Sequence, residues 1–313
     1  METIEVFHAM KLKITNERNL GLVQILLSGM CFGFLGVFGK LSLQRGVATD
    51  ELLGLRFMLG GVLLGVALML KSGPRRLALT WFQFILCALL GIFGYALFSS
   101  LYFKAIQGLS IGLAVLLLYT FPVWVSVGGW IFLREKIPAS RLVLFPLTLI
   151  GMALLVMDRF QWGGLPFLLC GLGSGFFYAI YILISARLLK GVNPLTAVVY
   201  IQFFAGLTLT LLSFQDWERS LLVIQTIWPI LIMMAIICSA AAMGLFQSGL
   251  QKLKGWEASL LSTSEPLTGI LLAYFFFGEA LSLTQLLGGL LVIVSFIILS
   301  LPTKYLLDQH PQG

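Results

Sequence analysis

Ten stretches of this 313-residue chain are apolar for about twenty residues at a time, and together they take up most of its length. A helix rises about 1.5 Å per residue, so about 20 residues cross a hydrocarbon core of about 30 Å. The stretches fall at 21–43, 51–70, 79–103, 110–133, 141–157, 164–186, 195–214, 226–250, 256–277 and 284–302, the fifth being short. Inside lipid the backbone has no water to bond, so a spanning segment is either a helix or a strand of a closed barrel. Barrel strands are about ten residues long with strict alternation, and runs such as 52–70 show none. The chain therefore reads as an all-α polytopic membrane protein with ten transmembrane helices and no room for a soluble domain.

The charges agree with that reading. Hydrophobic residues make up 59% and charged residues 11%, against about 45–50% and about 25% in soluble domains. A soluble enzyme, a disordered tail and a nucleic-acid binder are disfavoured, in spite of a net charge of +7. With the N-terminus placed in the cytoplasm, fourteen Lys and Arg fall in inner loops and tails, and Lys40, Arg45, Lys104, Arg159 and Arg219 fall outside. That is the positive-inside bias, with Arg56 left over inside the second span. Both termini are thus expected to be cytoplasmic, as tails 1–20 and 303–313. The first run is longer than a signal-peptide core and reads as an uncleaved span. The segment Gln215-Asp216-Trp217-Glu218-Arg219 reads as an outer interfacial loop.

Cys31, Cys87, Cys170 and Cys238 sit inside apolar runs with no CxxC spacing, which suits packing better than disulfides or metal ligands. The two histidines, His8 and His310, are terminal, so no histidine-based metal site is expected in the membrane body. Gly33, Gly36, Gly39 and Lys40 imitate a phosphate loop, but the spacing is wrong and Leu41 stands where Ser or Thr is needed. No cofactor is expected.

An internal repeat runs at an offset of 144: residues 102–135 align without a gap on 246–279. The matches include Gln107/Gln251, Ala114/Ala258, Pro122/Pro266, Phe132/Phe276 and Glu135/Glu279, with weaker echoes at Gly29/Gly171, Gly33/Gly175 and Gly46-Val47/Gly191-Val192. Proline and glutamate are scarce here, so their shared spacing carries most of the weight. Five spans per copy is an odd number, so the second copy enters the membrane from the opposite side. Inverted-topology repeats around a midplane site are the architecture of secondary transporters. The expected units are 21–158 and 163–302.

These features together resemble the drug/metabolite transporter superfamily, in particular its EamA-type members with two five-helix repeats. The resemblance rests on ten short-looped spans, the mid-helix Pro122 and Pro266, Arg134-Glu135 and Gly278-Glu279, Arg56-Phe57 and Glu265-Pro266. It covers about residues 21–302. Phe121 stands where the second half has Glu265, so a carboxylate role there is one-sided. The resemblance implies an alternating-access carrier in the bacterial inner membrane with a central cavity between the repeats. It also implies cargo among amino acids, small metabolites or toxic organic compounds, often moved outward.

Glu265 lies about ten residues into its span, where a charge costs several kcal/mol and usually faces a cavity. Ser262, Thr263 and Thr268 surround it, with Ser262 and Thr268 one turn away, and Pro266 frees a backbone carbonyl. This cluster is the candidate proton or substrate site, against the alternative of a neutral acid bonded to a neighbouring helix. Tyr119, Thr120 and Trp124 flank Pro122 at the related positions. Tyr95, Ser99 and Tyr102 share one face of the third helix; Tyr178 and Tyr181 do so on the sixth, and Gln247 marks the eighth. Each could line a cavity for an organic solute or pack between helices. Arg56 is expected to snorkel or pair helices, with Asp50 and Glu51 as local partners. Glu135 and Glu279 end helices where a negative charge opposes the dipole; with Pro122 and Pro266 they read as structural or gating residues.

The expected function is a secondary carrier or exchanger, exporting amino acids or similar metabolites without ATP hydrolysis. The expected partners are a small organic solute, the lipid bilayer and protons at a protonatable site, in a monomer or homodimer, with no nucleic acid. The competing readings are a membrane-embedded enzyme or lipid scramblase, and a non-transporting sensor or assembly subunit.

Overall fold

A computed structural model describes residues 2–47, 49–156, 163–213 and 217–301. Its α-helices are α1 (Glu2–Leu43), α2 (Thr49–Ser72), α3 (Trp81–Leu89), α4 (Leu97–Ile106), α5 (Ile111–Leu118), α6 (Phe121–Leu133) and α7 (Leu144–Leu155). They continue as α8 (Leu165–Leu188), α9 (Pro194–Ser213), α10 (Trp217–Met233), α11 (Ala242–Leu250), α12 (Gly255–Leu261), α13 (Ser264–Phe277) and α14 (Leu283–Ser300). Joined end to end where the chain runs on, they give nine helices long and apolar enough to cross a membrane, among the described residues. The expected fifth span is a shorter apolar helix, Ala139–Leu155. Helix α1 begins at Glu2, ahead of the apolar run, because no proline or glycine interrupts the chain before Gly21. Of the expected interfacial loop, residues 215 and 216 lie outside the described residues, as does the tail from 302 onward, and its remaining residues, from Trp217, open α10 instead of forming a loop.

The repeat seen in the residues is also a repeat of backbone irregularities. Helices α3 and α4 are joined by a π-helical stretch, Leu90–Ala96, and α10 and α11 by another, Met234–Ala241. The chain turns between α4 and α5, and again between α11 and α12, so that helices restart at Ile111 and Gly255. The next spans break at Tyr119–Thr120 and at Ser262–Thr263. They end on left-handed residues, Arg134 (φ 54°) and Gly278 (φ 66°). From the restart at Ile111 to the cap at Arg134, these landmarks recur 144 positions on or within a residue of it. Among the described residues the fold is helical throughout and has the two-repeat architecture.

Equivalent helices of the two halves pack on each other, α2 on α9 and α7 on α14, and each half also crosses into the other. Helix α1 packs along α13, while α8 packs along α5 and α6. Two glycines permit those crossings. A Cβ on Gly33 would stand 2.8 Å from Thr268 Cβ and 3.1 Å from the Glu265 carbonyl oxygen. A Cβ on Gly175 would stand 2.7 Å from the Leu118 carbonyl oxygen. Each glycine thus seats the helix break of the opposite half. The outer surface is apolar, with Leu70, Trp130, Phe132, Phe275 and Leu283 exposed, as a lipid-facing wall requires.

Candidate functional site

Broken helices bring backbone ends into the middle of the membrane body, where an unbroken helix offers none. Pro266 cannot donate to the Ser262 carbonyl, and the break supplies a substitute: the Glu265 N–H donates to that oxygen at 3.1 Å. Glu265 therefore sits in the first turn of α13, where the helix dipole favours a negative charge. Across from it, Tyr119 at the break of the first half donates its phenol to Glu265 Oε2 at 3.0 Å. Thus the one-sided carboxylate is held by a side chain of the opposite repeat.

Glu265 and Tyr119 lie on a cavity of about 750 Å³. Its walls come from α1, the start of α2, the π stretch and α4, α5 with the start of α6, Tyr178 of α8, and α13. Ten aromatic residues line it, and several of them are in ring contact. Ring centroids are 4.9 Å apart for Phe57–Tyr95 and Tyr95–Phe98, 4.5 Å for Phe98–Tyr178 and 4.7 Å for Phe121–Tyr178. Arg56 also borders the cavity. It is 7% exposed, its guanidinium lies 4.5 Å from the Phe57 ring centre, and its Nε has no partner among the described residues. The side chain stays in the interior and does not snorkel, stacked on the next residue of its own helix. The side chains of Asp50 and Glu51, its expected local partners, lie outside the described residues.

At one end the cavity reaches the mouth formed by Lys40 and Leu43 of α1, Gln107 and Ile111 at the turn between α4 and α5, and Phe277 and Glu279 after α13. There Lys40 pairs with Glu279, both side chains about half exposed, and its ammonium lies 4.2 Å from the Phe277 ring centre. The other end, on the side of the start of α1 and the end of α14, is shut. Arg18 donates to Glu257 Oε1 from Nε (3.1 Å) and Nη2 (2.9 Å), and from Nη2 to the Leu299 carbonyl at 2.8 Å. Arg141 Nη2 donates to the Leu301 carbonyl at 2.6 Å. Glu135 Oε1 receives the Gly255 N–H at a long 3.5 Å. Burial pushes the Glu135 carboxyl above the ordinary carboxylate range, opposed by the Gly255 N–H and the nearby Lys254. We call this end the terminal face.

Of the residues expected in the site, Tyr95, Ser99, Tyr102, Tyr119, Tyr178, Ser262, Glu265 and Pro266 are brought together on the cavity, joined at its edge by Arg56 and Glu279. Others are placed elsewhere. Tyr181 and Gln247 satisfy each other, Gln247 Nε2 donating to the Tyr181 hydroxyl at 2.5 Å and to Ser185 Oγ at 3.4 Å. Thr263 is fully buried and donates to the Leu260 carbonyl, and Thr268 donates to that of Ser264 while packing on Gly33. The one-turn relation to Glu265 holds for Thr268, within α13, but not for Ser262, because the break at Ser262–Thr263 intervenes. Thr120 donates to the Leu117 carbonyl and receives Trp124 Nε1, with Trp124 39% exposed against Phe176. Pro122 is buried and outside the lining. Sequence reasoning missed the ties made by Arg18, Lys40 and Glu257. The Lys254-x-x-Glu257 spacing, in which Glu257 Oε2 receives the Lys254 N–H at 3.2 Å, is the signal that could have found the last.

Comparison with known proteins gives a consistent result. The EamA-like transporter family matches residues 19–157 and again 165–301. The chain is 31% identical over 210 residues to an uncharacterized transporter of Archaeoglobus fulgidus, covering 67% of this chain and 74% of that protein. It is 24% identical over 300 residues to the uncharacterized inner membrane transporter YicL of Salmonella typhimurium (91% and 96% covered). It is 29% identical over 127 residues to a riboflavin transporter of Vibrio cholerae (41% and 42% covered). A solved crystal structure shares the fold at a TM-score of 0.75 and 18% identity, covering 91% of this chain and 98% of that one.

Proposed function

The chain belongs to the EamA-like transporter family and is a multi-pass membrane transporter, and we propose that it is a secondary carrier for amino acids or similar small organic metabolites. In this reading it works by alternating access, outward across the bacterial inner membrane, as a proton-linked carrier, exchanger or uniporter. One observation carries the reading: a cavity open at a single end, with Glu265 and Arg56 on an aromatic wall. An ammonium and a carboxylate on one solute would meet Glu265 and Arg56, and an apolar body would lie along Tyr95, Phe98 and Tyr178. The shut terminal face supports a gated carrier over an open pore, because a solute leaving that way needs Arg18 and Glu257 to part.

The test is counterflow in proteoliposomes with a panel of amino acids, their decarboxylated amines and riboflavin. Zwitterions with apolar side chains should exchange best, and the amines should lose most of the rate because Arg56 goes unused. Glu265→Gln should lower exchange at least tenfold or abolish its pH dependence. Unchanged exchange across pH in that variant would remove Glu265 from the mechanism. Preference for riboflavin over every amino acid would replace the proposed cargo with a planar heterocycle.

A further inference from the structure

The two ends of the cavity present repeat-related residues in different states. At the terminal face, Gln251 Nε2 donates to the Leu189 and Val192 carbonyls at 3.3 and 2.8 Å, tying the end of α11 to the end of α8. There too Glu135, just past α6, receives the N–H that opens α12 at Gly255. Shifted by the repeat, Gln251 becomes Gln107, Gly255 becomes Ile111, Glu135 becomes Glu279, and Gly191-Val192 becomes Gly46-Val47. Gln107, Ile111 and Glu279 line the open mouth, and Gly46-Val47 follow Leu43, which also lines it. The Gln107 side chain makes no hydrogen bond to another described residue, and Glu279 is turned to Lys40. The parts of a second clamp are thus present at the mouth, with the same donor and acceptor chemistry, but disengaged.

We infer that Gln107 and Glu279 form the clamp that shuts the mouth when the cavity turns to the terminal face, an inference that rests on the alternating-access reading above. In the shut mouth the Gln107 amide donates to carbonyls at the end of α1, in the segment Gln44 to Val47. The Glu279 carboxylate receives the unpaired N–H groups that open α5 at Ile111 and Gly112, which have no partner inside the helix and face a favourable dipole. Lys40 is the open-state catch. The corresponding stretch of the second half, Ile182-Leu183-Ile184-Ser185, holds no basic residue, so α8 offers no such catch, and the basic residue near Glu135 is instead Lys254, next to the Gly255 N–H that Glu135 receives. A half-exposed ion pair is weak and screened by salt, and so it releases Glu279 readily.

The test reads which end of the cavity is open. In a chain with its four cysteines replaced by alanine, Ser99→Cys reports from the cavity wall to a membrane-impermeant maleimide added to one side of sealed vesicles at a time. The side that labels is taken as a ratio, mouth over terminal face, during counterflow. Gln107→Ala and the near-isosteric Gln107→Glu, which cannot donate, should raise that ratio at least threefold and slow transport. Gln251→Ala should lower it by a similar factor, and Lys40→Met should lower it through loss of the catch. A ratio unmoved by both Gln107 variants and by Lys40→Met, while Gln251→Ala opens the terminal face, would overturn the clamp and leave the carrier reading standing. A reporter never labelled from the terminal face during active counterflow would overturn alternating access itself, and the clamp with it.

Discussion

At the scale of single residues, the Glu135 carboxyl has been carried into a place that resists its charge. Burial raises its proton affinity, the Glu257 carboxylate adds to the effect, and the Gly255 N–H and Lys254 oppose it without cancelling it. The shut terminal face therefore binds this proton more tightly than a state that hydrates Glu135. The group's contribution to closure is fully present below the ordinary carboxylate value and is lost as pH rises through the raised one. Labelling of the Ser99→Cys reporter from the terminal face should accordingly increase as pH rises above the ordinary carboxylate range. Glu135→Gln, which can still accept the Gly255 N–H, should flatten that profile; an unchanged profile would assign the pH dependence to another group. Glu265 stood out in the sequence because a lone carboxylate in the middle of an apolar run has no topological reason to be there. Arg18 did not, because a basic residue just ahead of an apolar run already satisfies the positive-inside rule, and Lys40 read as one of the few basic residues of the outer ends; partners 239 positions away leave no local pattern.

At the scale of elements, the working parts are helix breaks seated on glycines, and the seat can be tested apart from the chemistry. Gly33 and Gly36 are one turn apart on α1 and both line the cavity, but only Gly33 touches the opposite half; a Cβ on Gly36 meets nothing within 4 Å. Gly33→Ala should lower stability by about 1–3 kcal/mol through overpacking against Thr268 and the Glu265 carbonyl, and should slow transport by displacing Glu265. Gly36→Ala should leave thermal unfolding in detergent unchanged or gain up to about 1 kcal/mol of helix propensity. Equal effects of the two would mean that the α1–α13 contact is not what holds the break. The span pattern was legible in the sequence because lipid demands length and apolarity everywhere. The breaks were marked only by their prolines. Which face of a helix meets the cavity was not marked, since Tyr181 and Gln247 look like lining residues until their bond to each other is seen.

For the whole molecule, the terminal face is held by long-range ties that gather four helices. Arg18 of α1 reaches Glu257 of α12 and the end of α14, and Arg141, just before α7, reaches the residue after α14. Glu257 is 3% exposed, so removing Arg18 leaves a buried charge unpaired, a loss of about 3 kcal/mol. Arg18→Ala should therefore open the terminal face to the impermeant maleimide, and adding Glu257→Gln should recover much of the closure. No recovery in the double variant would place the weight on the Leu299 carbonyl instead. The frame of this transporter is duplicated, but its chemistry is not, since Phe121 occupies the position that mirrors Glu265. In the proposed proton-linked reading, a site with one carboxylate at its core hands over one proton per cycle. If protons drive the exchange one for one, each pH unit across the membrane concentrates an uncharged solute about tenfold, and the membrane potential adds to this because each cycle moves one net charge. On that reading the single carboxylate, and not the duplicated frame, limits how far the transporter can concentrate its solute.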